Sequence, residues 1–102
     1  MIEEQELKEK VSKGEYIYSR HADNERQEDN LLVEEVEDAL FNGRILEHYA
    51  DTGRGESCLV AGFTRAGKPI HIVFARNNGI SIIVTVYLPK PPKFKTPFIR
   101  GD

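Results

Sequence analysis

Apolar and polar positions repeat with one period in the first half of the chain and another in the second. Over residues 2–13, Leu7 and Val11 share one face. Glu4–Lys8, Glu6–Lys10 and Glu9–Lys13 are Glu-before-Lys pairs four apart, the favourable helical orientation. A helix is predicted there, with Gly14 as the residue past its end. A short extended stretch over 15–18 precedes Ser19, a good helix N-cap, and a polar second helix is predicted through residue 29. Asn30 tolerates the left-handed conformation in which helices end. In a third helix over 33–41, Val33, Val36 and Leu40 oppose Glu34, Glu35, Glu37 and Asp38, and Asn42-Gly43 stops it.

Beyond Gly43 the period becomes strand-like. Strands are predicted over 44–49, 57–64, 69–76 and 80–88, joined by the loop 50–56, the turn 65–68 and Asn77-Asn78-Gly79. Asn-Gly between two β-rich runs is the strongest short hairpin signal, and short connections make neighbouring strands antiparallel. The last two strands are apolar on both faces and are therefore expected at the sheet's centre, under the helices. The fold class is α+β, N-terminal helices followed by a four-stranded antiparallel sheet. From Pro89 onward four prolines exclude a regular central strand. The chain thus divides into one domain, 1–88, and a basic, extended, polyproline-like tail, 89–102.

A length of 102 residues suits one domain. The longest apolar run, 79–88, is too short for a membrane helix, which takes about 20 residues. An acidic start without an apolar signal core and a lone Cys58 point to a reducing, cytoplasmic setting, with no disulfide and no cysteine-based zinc site. Net charge is −3, but residues 1–56 hold 16 acidic and 7 basic side chains, while 57–102 hold 7 basic and 1 acidic. Either the cationic half faces phosphates or an acidic partner, or the halves neutralise each other. In the tail, Lys90, Lys93, Lys95 and Arg100 alternate with Phe94 and Phe98. That pattern suits single-stranded nucleic acid, or a tail whose rings dock on its own domain.

No phosphate-binding loop, dinucleotide fingerprint or nucleophile elbow occurs, and no cofactor is implied. Acid–base chemistry near neutral pH falls to the histidines. His71 shares a strand face with Val73 and Ala75, opposite Ile70, Ile72 and Phe74. It is either a hydrogen-bonded core histidine or a reactive one. His21 opens the second helix beside Arg20, with Arg26 nearby, and Glu25 four residues on is placed to orient its imidazole. His48 has no cluster around it. Thr85 and Tyr87 share a face of the strand beside His71, and a Tyr hydroxyl there suits a phosphate or a ribose 2′-hydroxyl.

Four segments in order, Tyr18-Ser19-Arg20-His21-Ala22, the Glu34–Leu40 run, Gly67–Val73 and Val84–Pro89, resemble the bacterial family known as domain of unknown function 4258. The resemblance implies a RelE-like, EndoU-like small ribonuclease fold. It also implies a toxin whose antitoxin, of zinc-finger type, is encoded alongside. The positions carried over are His21, His71, Thr85 and Tyr87. One departure stands out: the family's usual Arg four residues after the helix histidine is Glu25 here, and its Arg-Gly before the third helix is Asp29-Asn30. The expected activity is metal-independent cleavage of single-stranded RNA. His71 or His21 would be acid or base, Tyr87 and Thr85 would position phosphate, and Arg20, Arg26, Arg76, Lys90 and Lys93 would meet RNA. The competing expectation is a non-catalytic module that binds a protein through its sheet edge or tail.

Overall fold

A computed structural model describes residues 1–51, 53, 55–89, 94–96 and 98–100. Three helices come first: α1 (Glu4–Ser12), α2 (Arg20–Glu28) and α3 (Val33–Asn42). Between α1 and α2 lies a two-residue strand, β1 (Ile17–Tyr18). The remaining strands are β2 (Arg44–Tyr49), β3 (Glu56–Phe63), β4 (Pro69–Asn77) and β5 (Ile80–Tyr87), followed by a small ribbon of β6 (Phe94–Thr96) and β7 (Ile99–Arg100).

The helix ends follow their local chemistry. Past α1, Gly14 is at φ +68° and the Glu15 amide donates to the Lys10 carbonyl at 2.8 Å, a Schellman closure. Ser19 Oγ caps α2 by accepting from the Ala22 amide at 3.0 Å. Asn30 takes φ +55°, and the Leu32 amide at the start of α3 donates to Glu35 Oε1. Asn78 and Gly79 both take positive φ, the two-residue hairpin turn expected of Asn-Gly.

β5, β4, β3 and β2 run antiparallel, as expected, but the sheet has five strands in the order β1-β5-β4-β3-β2, and β1 pairs parallel with β5 through Ile17↔Ile82 and Tyr18↔Ile83. The four-stranded antiparallel expectation is corrected by this mixed sheet. Two residues cannot show a period, and their partner lies some sixty positions away in the chain. Residues 94–96 and 99–100 form a ribbon pairing Phe94 with Arg100 and Thr96 with Ile99, and most of the tail expected to be polyproline-like lies outside the described residues.

The helices cover one face of the sheet. Leu7, Val11, Ala22, Val36, Ala39 and Leu40 pack against Cys58, Val60, Ile70, Ile72, Phe74, Ile83 and Val86. Burial pushes the Cys58 thiol up to about 12, so it is an inert part of this core. α3 approaches β3 so closely that a Cβ on Gly62 would stand 1.9 Å from the Ala39 carbonyl oxygen. Asn42 locks this approach, its Oδ1 accepting from the Phe63 amide at 2.9 Å and its Nδ2 donating to the Phe63 carbonyl at 2.7 Å. The oppositely charged halves meet where Arg76 pairs with Glu6 and where Arg65 pairs with Asp38. No helix is long and apolar enough to cross a membrane.

Candidate functional site

The other face of the sheet carries the candidate chemistry. Registers across β2, β3, β4 and β5 set its side chains in rows. One row is Arg44–Ala61–His71–Tyr87, the next Glu47–Leu59–Val73–Thr85, and the third Tyr49–Ser57–Ala75–Ile82. Thr85 and Tyr87 belong to these rows because β5 has a bulge. Val73 pairs with Thr85 but Phe74 pairs with Ile83, so Val84 is the extra residue. Simple alternation from the buried Ile83 would turn Thr85 and Tyr87 into the core.

His71 and Tyr87 form a pair. Nδ1 lies 3.2 Å from the Tyr87 hydroxyl, and the rings meet edge-on at 5.3 Å between centroids. His71 is wholly buried although it faces away from the helices. The ribbon contributes to the cover at this end. The Phe98 ring packs 5.5 Å from that of Phe63, and the Arg44 guanidinium lies 4.4 Å from its centroid.

A second cluster joins α2 to the rim of this face. Beyond the two β1 pairs, the edge of β5 is closed by side chains. Ser19 Oγ donates to the carbonyl of the bulged Val84, and Glu25 Oε1 accepts from the Val86 amide at 3.0 Å and from Thr85 Oγ1. His21 Nε2 stands 3.3 Å from the same Glu25 oxygen, with 70% of its side chain exposed. The i,i+4 pairing of His21 and Glu25 is therefore present. Its extension onto Thr85 and the β5 backbone is invisible to local sequence.

The predicted cations are dispersed. Arg20 is exposed, one residue before His21. The Arg26 guanidinium binds Asp23 and the Leu31 carbonyl and lies over the Tyr18 ring. Arg76 is held by Glu6 and Glu56 near α1. Lys90 and Lys93 lie outside the described residues, as does the side chain of Phe94. His48 Nε2 is 3.0 Å from the Ile2 carbonyl oxygen. Arg44, absent from the sequence-based candidates, stands in the His71–Tyr87 row. A bulge between Ile45 and Glu47 breaks the alternation along 44–49, so local pattern shows neither its face nor its cross-strand neighbours. The second and third rows contribute Val73, Tyr49, Ser57 and Ala75 to the lining of an open groove of about 520 Å³, which Val84 also borders.

The family described as Domain of unknown function (DUF4258) matches residues 18–88. The chain belongs to this family. No curated protein and no solved structure matches it. The DUF4258 span runs from β1 to just past β5 and so includes both clusters; α1 and the β6–β7 ribbon fall outside it.

Proposed function

We propose that this DUF4258 protein is a metal-independent endoribonuclease acting on single-stranded RNA, RelE-like in kind, and the cytoplasmic toxin of a toxin–antitoxin pair with a zinc-finger-type antitoxin as its partner. The observation that carries the reading is the Glu25 bridge, which ties the exposed His21 to Thr85 on the sheet face that also holds His71 and Tyr87. With Nε2 turned to Glu25, the His21 Nδ1 atom is the nitrogen free to accept a proton. It takes the proton of a ribose 2′-hydroxyl, and the 2′-oxygen bonds to the adjacent phosphorus. The bond from phosphorus to the 5′-oxygen breaks, and that oxygen takes a proton from the acid of the pair, His71 or Tyr87. The products are a 2′,3′-cyclic phosphate and a free 5′-hydroxyl. Arg20, beside His21, supplies positive charge to the phosphorane, since Arg26 and Arg76 are engaged in internal pairs.

The full burial of His71 favours the second reading, an interaction module whose partner binds the sheet edge or the tail. One experiment separates the two. The purified chain is incubated with single-stranded RNA in EDTA and the new ends are analysed. Cleavage to cyclic phosphate ends is expected, with His21→Ala slower by about 100-fold or more, the usual contribution of a positioned acid or base. Because His21 is exposed, this variant should melt with the wild type. Intact RNA after incubation with folded wild-type protein refutes the nuclease.

A further inference from the structure

We infer that Arg44, His71 and Tyr87 form a phosphodiester-binding site for the RNA backbone, shut in this conformation by Phe98. The inference rests on the nuclease reading for the identity of the ligand and adds a binding residue and a lid to it.

Arg44, Ala61, His71 and Tyr87 are successive members of one cross-strand row. Strands lie about 4.8 Å apart, so Arg44 and His71 are separated by about 10 Å at the backbone, a span that the Arg side chain and the imidazole close from opposite ends. Between them in the row stands Ala61, whose methyl is a small separation between an arginine and a histidine that would hold a tetrahedral group. The chemistry suits that group: a guanidinium presents a fork of donors to phosphate oxygens, and a phenol and an imidazole add further donors. Glu47, in the next row, is the nearest opposing charge on β2, and its carboxylate accepts from the Tyr49 hydroxyl.

Arg44 is turned elsewhere in this conformation. Its guanidinium lies on the face of the Phe98 ring, 4.4 Å from the centroid, and Phe98 also packs on Phe63, the outer-face residue of β3 beyond Ala61. The ring and a phosphate therefore compete for one cation. His71 is completely buried on a face without helices, as a covered site requires. The covering segment is an addition to the family domain, whose matched span stops at residue 88. The cover is thus separable from the fold that builds the row.

The test uses the full chain and a short single-stranded oligonucleotide that lacks 2′-hydroxyls, so that binding is read without turnover. Phe98→Ala should bind it about tenfold more tightly than wild type, since the competing cation–π and ring contacts are gone. Adding Arg44→Ala to Phe98→Ala should abolish that gain. Inorganic phosphate should move the His71 and Tyr87 ring resonances in Phe98→Ala but not in the double variant. A Phe98→Ala chain no tighter than wild type, or a double variant as tight as Phe98→Ala, overturns the inference. The unmutated chain gives a check independent of any variant's folding. Saturating oligonucleotide should erase the Phe63–Phe98 ring-to-ring nuclear Overhauser effects, and their persistence overturns the lid. Arg44-dependent binding without RNA cleavage would uphold this site while removing the nuclease. Cleavage that requires His21 but ignores Arg44 and Phe98 would do the reverse.

Discussion

Replacing Glu25 by alanine should destabilise the fold far more than an exposed helical glutamate would suggest. The carboxylate accepts from the Val86 amide and Thr85 Oγ1, and its side chain is only 24% exposed. Hydrogen bonds to a charged acceptor contribute about 1.5–3 kcal/mol each, and a buried amide left unpaired costs about 1–3 kcal/mol. Val86 is fully buried, so water enters poorly to replace the lost acceptor. Allowing for overlap between the two bonds and for the exposed part of the carboxylate, Glu25→Ala should lose about 3 kcal/mol. For a domain near 100 residues that lowers the melting temperature by roughly 12–24 °C. Glu25→Gln keeps a carbonyl oxygen for both donors and should lose only about 1 kcal/mol, the difference between a charged and a neutral acceptor. Urea unfolding of the three proteins, with equal m-values, measures both losses. If Glu25→Ala falls within about 0.5 kcal/mol of wild type, the closure of the β5 edge by this side chain is wrong. If glutamine is as harmful as alanine, charge rather than the acceptor geometry is what matters there.

Gly62→Ala should cost about 3 kcal/mol, the upper range for overpacking, because the added methyl would collide with the backbone of α3 and not with a movable side chain; thermal melting checks it. Stability should also fall in alkali. Burial holds the Tyr18 phenol up to about 12, against 10.0 for the free side chain, and burial with the Glu37 contact raises Tyr16 as well. A raised folded value means that this stabilisation is whole below pH 10 and is lost as the pH climbs through about 12, which unfolding titrations from pH 9 upward should follow.

The helices and the four long strands could be read from the sequence because each carries a local signature: a period, a cap or a turn residue. Ser19, Asn30 and Asn78-Gly79 act where their chemistry places them. Residues 15–18 read as extended, but their place in the sheet was not legible because β1 is held by β5 and by little of its own. Of the described tail residues, β6 and β7 pair apart from the main sheet, and Phe98 docks on Phe63 and Arg44, one of the two fates its pattern suggested, with partners that only the long-range fold supplies. The site shows the same divide. Period-two alternation put His71 opposite the core, and four-residue spacing joined His21 to Glu25. The bonds from Glu25 to Thr85 and Val86, the pairing of Arg76 with Glu6 and Glu56, and the row that contains Arg44 all depend on long-range register.

The bulge at Val84 makes the site a matter of register. Drawing Val84 into regular pairing would turn Thr85 and Tyr87 inward and Val86 outward, whereas deleting it would leave all three facing as they do, Thr85 then following Ile83 in plain alternation. Deletion would remove the carbonyl that Ser19 binds while capping the helix of His21. The looped-out state of Val84, rather than any one outer-face side chain, is therefore what presents Thr85 and Tyr87 to that face. A relative that lacks a residue at Val84 should keep the composition of both faces of that segment on a regular strand.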